Sequence, residues 1–122
     1  IAGKRLGPAE VESALVGHPG VAEAAAVGVP HELKGEALWC YVVPAAGVEP
    51  TDALRAELVA VVTDALGKSF KPSEVRFCSA LPKTRSAKVL RRAIRAAAVG
   101  QDPGDLSSLE DPGALDAVRS AR

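Results

Sequence analysis

The run Val21-Ala22-Glu23-Ala24-Ala25-Ala26-Val27-Gly28-Val29 carries small apolar residues on both of its faces, interrupted only by Glu23. Side chains of a strand point alternately to opposite faces, so a strand of this kind needs cover on both sides. A chain built around it places helices against a sheet. After the polar loop Pro30 to Glu36, with Gly35, a second strand reads Ala37-Leu38-Trp39-Cys40-Tyr41-Val42-Val43. It is rich in strand formers and holds the only Trp and the only Tyr. Pro44 to Pro50 is a turn.

Helix signals surround these strands. Pro8 suits a first helical position and Gly17 a stop, with Val11, Ala14 and Leu15 on one face between them. Thr51 caps the clearest helix, in which Leu54, Leu58, Val61, Val62, Ala65 and Leu66 fall at helical spacing before Gly67. Pro72 to Phe77 reads as a short third strand. Ser86 is an expected N-cap for a helix whose apolar stripe is Val89, Leu90, Ala93, Ile94 and Ala97 and whose basic stripe is Lys88, Arg91, Arg92 and Arg95. The segment 101–112 is polar and irregular, and Gly113 to Arg119 is an expected last helix.

The order helix, strand, strand, helix, strand, helix predicts an α+β domain. We expect a small, mostly antiparallel three-stranded sheet flanked by helices. There are too few strands for a doubly wound nucleotide-binding sheet, and there is no Gly-rich phosphate loop. At 122 residues the chain makes one domain. No apolar run is long enough to cross a bilayer, and no signal peptide is visible. The chain holds no Met and begins at Ile1, so we expect a fragment of a longer protein. Cys40 and Cys78 do not make a disulfide framework and read as reduced, partly buried thiols of a cytoplasmic protein.

Net charge is zero, but its distribution is uneven. Nine Lys or Arg lie between Lys68 and Arg95 against the single acid Glu74, and the tail then turns acidic at Asp102, Asp105, Glu110, Asp111 and Asp116. A local basic stretch in a neutral chain points to an anionic ligand or partner. Its densest part is Pro82-Lys83-Thr84-Arg85-Ser86-Ala87-Lys88. On the expected helix, Lys88 occupies the first turn, where the helix dipole disfavours a cation and favours an anion. A lysine there makes sense if it reaches a phosphate or a carboxylate. From composition alone, a solvated basic helix start is the better reading. The opening Gly3-Lys4-Arg5-Leu6-Gly7 suits a tight turn near a ligand, with Arg5 able to hold a phosphate through its planar fork. A plain turn before a helix explains it as well. His18-Pro19, just past the first helix, reads by itself as a helix-end histidine.

Taken together and in this order, these segments resemble one family, the AMP-forming acyl-CoA synthetases of the acetyl-CoA synthetase type. Gly3-Lys4-Arg5-Leu6-Gly7-Pro8-Ala9-Glu10-Val11-Glu12 is similar to the stretch after the family's hinge. His18-Pro19, the run Val21 to Pro30, and Lys34-Gly35-Glu36 follow the family's order, Pro82 to Lys88 resembles its P-K-T-R-S-G-K, and Gly104 to Pro112 resembles the ending of acetyl- and propionyl-CoA synthetases. The resemblance implies that residues 1–122 are the mobile C-terminal lid of such a ligase. It has a short N-terminal hairpin remnant, 101–122 as a C-terminal extension, and its partner adenylation domain absent. It implies two half-reactions using ATP, CoA and Mg2+ on a small carboxylic acid. Lys88 is then the catalytic lysine of adenylation and a target of acetylation, which implies a lysine acetyltransferase and deacetylase as partners. Arg5 contacts nucleotide phosphate, Ala2 and Gly3 line the CoA tunnel, and Val16, His18 and Val21 hold magnesium, partly through main-chain carbonyls. Neither nucleic acid nor a membrane is an expected partner.

Three departures stand out. Ala87 replaces a family glycine, which is strained if the position is left-handed and harmless if it is helical. Thr63 replaces an arginine for the CoA phosphates. The hinge residue falls before Ile1. Two rival readings remain, a binding module using Lys88 to Arg95 for an acidic partner or RNA, and a scaffold that keeps only the fold. Few aromatics are present for stacking bases.

Overall fold

The computed structural model describes residues 7–31, 35–104 and 106–122. The expected N-terminal hairpin remnant lies outside them. The elements are α1 (Pro8–Val16), β1 (Val21–His31), β2 (Gly35–Pro44), α2 (Asp52–Leu66), β3 (Glu74–Phe77), α3 (Arg91–Val99) and α4 (Gly113–Arg119), with one 3-10 turn at Lys68–Phe70. The α+β class is as read from the sequence. The sheet, in the order β1-β2-β3, is mixed rather than mostly antiparallel. β1 and β2 form an antiparallel hairpin, whereas β2 and β3 run parallel. The reason is the connection. α2 carries the chain about 22 Å back along the sheet, so β3 starts from the same end as β2, as a crossover requires.

Local signals set most boundaries. Thr51 Oγ1 accepts the Leu54 N–H at 3.1 Å and starts α2, which ends at Gly67 with φ +98°. The Glu10 carboxylate accepts the Gly7 N–H at 2.8 Å ahead of α1.

Consecutive residues of β1 enter different cores. Ala24 and Ala26 pack with Val11 and Leu15 of α1, Leu54, Leu58 and Val62 of α2, and Cys40, Val42, Val75 and Phe77. Ala25, Val27 and Val29 pack with Tyr41, Ile94 of α3, and Val118 and Ala121 at the C-terminal end. A register shift between Val21 and Glu23 returns Val21 to the first core. The doubly covered strand expected from its composition is thus the middle layer between α1 with α2 and α3 with α4.

The outer edge of β1 has no strand beside it among the described residues. Two of its main-chain polar groups are met by side chains instead. The Ala26 N–H donates to Glu12 Oε2 at 2.8 Å, and Arg95 Nε donates to the Gly28 carbonyl at 2.8 Å. Glu12 also accepts two bonds from Arg91, Nε to Oε2 at 2.9 Å and Nη2 to Oε1 at 2.5 Å. This fork joins α1 to α3 across 79 residues, and the Glu12 side chain is only 16% exposed. Glu12→Ala removes three bonds and leaves the Ala26 N–H and the Arg91 guanidinium unpaired. It should lower unfolding free energy by about 2 kcal/mol, more than Arg91→Ala does, as read by urea denaturation.

Candidate functional site

The segment Leu81 to Leu90 turns back on itself before α3. Lys83 and Val89 form an antiparallel bridge. The Thr84 N–H donates to the Lys88 carbonyl at 2.9 Å, and the Leu90 N–H donates to the Pro82 carbonyl at 2.9 Å. A tight turn closes the loop, with the Ala87 N–H donating to the Thr84 carbonyl at 2.8 Å. α3 begins only at Arg91, with Leu90 as its N-cap. The expectation that Ser86 caps this helix and that Lys88 sits in its first turn is therefore corrected. Ser86 Oγ instead meets Thr84 Oγ1 at 3.0 Å, and the dipole argument does not apply to Lys88. The physical cause is Ala87. Its φ of +65° is incompatible with a right-handed helix.

That angle also decides between the two readings of Ala87. The position is left-handed, so the alanine there carries strain, and among the described residues it is the sole non-glycine with positive φ.

The cations around the loop differ in what they do. Lys83 Nζ pairs with Glu23 of β1. Arg85 Nη1 donates to the Ser107 carbonyl at 3.2 Å. Arg91 is locked on Glu12, and that bond raises its already high pKa. Arg92 Nη1 donates to the Pro103 carbonyl at 2.5 Å, and Arg95 to Gly28. The basic stripe proposed for RNA or an acidic partner is thus largely engaged within the domain. Lys88 is exposed, and its ammonium has no partner among the described residues.

The expected metal residues lie at the α1–β1 junction. Val16 is 48% exposed. Both ring nitrogens of His18 are in use, since Nδ1 accepts the Gly20 N–H at 2.9 Å and Nε2 meets Glu57 Oε1 at 3.2 Å. Accepting at Nδ1 places the proton of the neutral ring on Nε2. The oxygens these residues could offer are main-chain carbonyls, of the hard kind that magnesium takes, and that of His18 already accepts the Val21 N–H at 3.1 Å. No cluster of three or more His, Cys, Asp or Glu side chains suited to a metal occurs among the described residues. Glu23, two residues beyond Val21, ties this junction to the lysine loop through Lys83. Ala2, Gly3 and Arg5 lie outside the described residues. Thr63 donates its hydroxyl to the Val59 carbonyl of its own helix at 2.7 Å and presents no cation for a phosphate.

Both cysteines are free and buried. Burial pushes the Cys40 thiol up to about 12 and the Cys78 thiol up to about 11. Neither is a nucleophile near neutral pH. Sequence reasoning missed the Glu12–Arg91 fork and the contacts of the tail with the lysine loop. Neither has a local pattern, because the partners are far apart along the chain.

Relief of the left-handed alanine gives a stability test. Ala87→Gly should remove about 1 kcal/mol of strain, offset by roughly 0.5 kcal/mol of added unfolded-chain entropy. A small net gain in the urea midpoint is expected, and Ala87→Val should shift it the other way.

The chain matches the family "AMP-binding enzyme C-terminal domain" over residues 10–88. It is 50% identical over 118 residues to an acetyl-coenzyme A synthetase of Saccharophagus degradans, covering 95% of this chain and 18% of that protein. It is 48% identical over 118 residues to one from Methanothrix soehngenii, covering 97% of this chain and 18% of that one. The chain therefore spans about a fifth of the length of the curated relatives it matches. Among solved structures it superposes on the Brucella canis acyl-CoA synthetase with a TM-score of 0.75 at 42% identity, over 81% of this chain and 18% of that one. A benzoate CoA ligase from Burkholderia xenovorans gives 0.68 at 39% identity, over 75% and 19%. With the lysine turn, the α+β fold and this likeness in register, the chain belongs to the C-terminal domain family of AMP-forming acyl-CoA synthetases.

Proposed function

We propose that residues 1–122 form the mobile lid of an acid–CoA ligase acting on a short-chain acid such as acetate, with 101–122 as its C-terminal extension. Its main partner is the enzyme's own larger adenylation domain, which supplies the ATP and acyl pockets. In the first half-reaction a carboxylate oxygen attacks the α-phosphorus of ATP, giving acyl-AMP and releasing pyrophosphate. In the second, the CoA sulfur attacks the acyl carbonyl and AMP leaves.

The observation that carries this reading is the contrast within the loop. Lys83, Arg85, Arg91, Arg92 and Arg95 are engaged in the domain, and the exposed Lys88 ammonium is not. An ammonium held on a braced turn suits a transition state in which negative charge gathers on the carboxylate and α-phosphate oxygens. Arg5 serves nucleotide phosphate, and Ala2 and Gly3 line the CoA tunnel in the second pose. Magnesium would be held by main-chain oxygens of Val16, His18 and Val21, where it supplies positive charge to that junction. Acetylation of Lys88 by a lysine acetyltransferase removes its charge and silences adenylation until a deacetylase restores it. The free thiols fit a cytoplasmic setting, and no described helix is long and apolar enough to cross a membrane.

In the intact synthetase, Lys88→Ala should lower acid-dependent ATP–pyrophosphate exchange about 100- to 1000-fold. Thioester formation from supplied acetyl-AMP and CoA should stay near its original rate. Lys88→Gln, which resembles the acetylated side chain in charge, should behave alike. Unchanged exchange in Lys88→Ala would overturn the assignment.

A further inference from the structure

We propose that the tail segment Ser107–Glu110 is a clasp that positions Lys88, with Leu109 as its central positioning residue. The inference rests on the reading of Lys88 as the adenylation lysine. It starts from the hydrogen bonds of Lys83 and Thr84. On one side this short stretch meets Lys88 to Leu90, through the Thr84 N–H to the Lys88 carbonyl and the Lys83–Val89 bridge. On the other side it meets the tail. Thr84 bridges Leu109, and the Glu110 N–H donates to the Lys83 carbonyl at 2.9 Å. Lys83-Thr84 is therefore the middle rung of a miniature three-part ladder whose outer rungs are the lysine segment and the tail.

Leu109 is 3% exposed, so this rung is anchored by a buried side chain between the exposed Ser108 and Glu110. Arg85 adds a surface tie to the Ser107 carbonyl. The tail is also held further along both ways. Arg92 takes the Pro103 carbonyl on one side. Beyond α4, Arg122 and Phe77 exchange N–H to carbonyl bonds of 2.9 and 3.2 Å on the outer edge of β3, and Arg55 Nη2 donates to the Arg122 carbonyl at 2.8 Å.

This bracing matters because a lysine has a flexible four-carbon stem and the Lys88 ammonium has no partner among the described residues. The placement of its ammonium then depends on the stiffness of the turn that carries it. Displacement by about 1 Å at a reacting centre is enough to cost a large factor in rate. A turn holding a strained alanine and paired on one side only is poorly suited to that task. The tail supplies the second side.

The test uses the intact synthetase carrying this domain, with three variants. Leu109→Ala removes the anchor. Glu110→Pro removes the N–H that meets Lys83. Arg85→Ala removes the surface tie and leaves the buried parts untouched. Leu109→Ala and Glu110→Pro should lower ATP–pyrophosphate exchange about 10- to 100-fold, in kcat rather than in KM for ATP. Arg85→Ala should give a smaller loss in the same half-reaction. Thioester formation from acetyl-AMP and CoA should hold in all three, with the thermal transition of Arg85→Ala unmoved. A merely structural tail would lower both half-reactions together, and that result would overturn the clasp. So would full exchange in these variants while Lys88→Ala has lost it. If Lys88→Ala itself keeps full exchange, the lysine assignment has failed and the clasp falls with it.

Discussion

The carboxylate of Glu12 is the point at which three separate parts of the domain meet. It sits on α1, takes a main-chain N–H from β1, and holds the side chain of Arg91 at the start of α3. A carboxylate so little exposed is tolerable only because its oxygens are met by three N–H donors. The same contact solves the problem of the β1 edge, where an unpaired N–H would otherwise invite another strand. Its consequence reaches the loop before α3. Lys88 lies three residues ahead of Arg91, so fixing Arg91 fixes the place from which the lysine turn emerges.

Within that turn, electrostatics separates structural cations from the one left available. A dense basic segment repels itself unless its charges are met. Here Glu23, Glu12 and main-chain carbonyls of the tail and of β1 meet them. The arrangement leaves one ammonium facing solvent on a turn bonded on both sides. Ala87 supplies the bend that stops the helix from starting early, at some cost in strain. The lysine loop is thus a short ladder joined to a helix and not itself a helix terminus.

The two cores divide the work. The first joins α1 and α2 to one face of the sheet, and the second joins α3 and the C-terminal helix region to the other. Because Val118 and Ala121 belong to the second core, residues after Gly100 are part of the packed structure and not only a trailing segment. The lysine loop lies between that tail and β1, which it meets through Glu110, Leu109 and Glu23.

Much of this was legible in the chain itself. Small apolar residues on both faces of Val21 to Val29 required two covered faces, Thr51 and Gly67 bounded α2 through capping and a left-over positive φ, and the motif order pointed to the family. These are local signals, carried by neighbours in sequence. The parallel placement of β3 was not legible, because it follows from where α2 delivers the chain. Nor was the delayed start of α3, since the apolar spacing of Val89 to Ala97 is helical throughout and the left-handed Ala87 is seen only in the fold. The Glu12–Arg91 fork and the Thr84–Leu109 bridge join residues 79 and 25 positions apart. Residue types and spacing thus singled out the dense basic segment Pro82 to Lys88. Tertiary packing alone decided which cation of the lysine loop stays unpaired among the described residues, because a charge is neutralised by what lies near it in space.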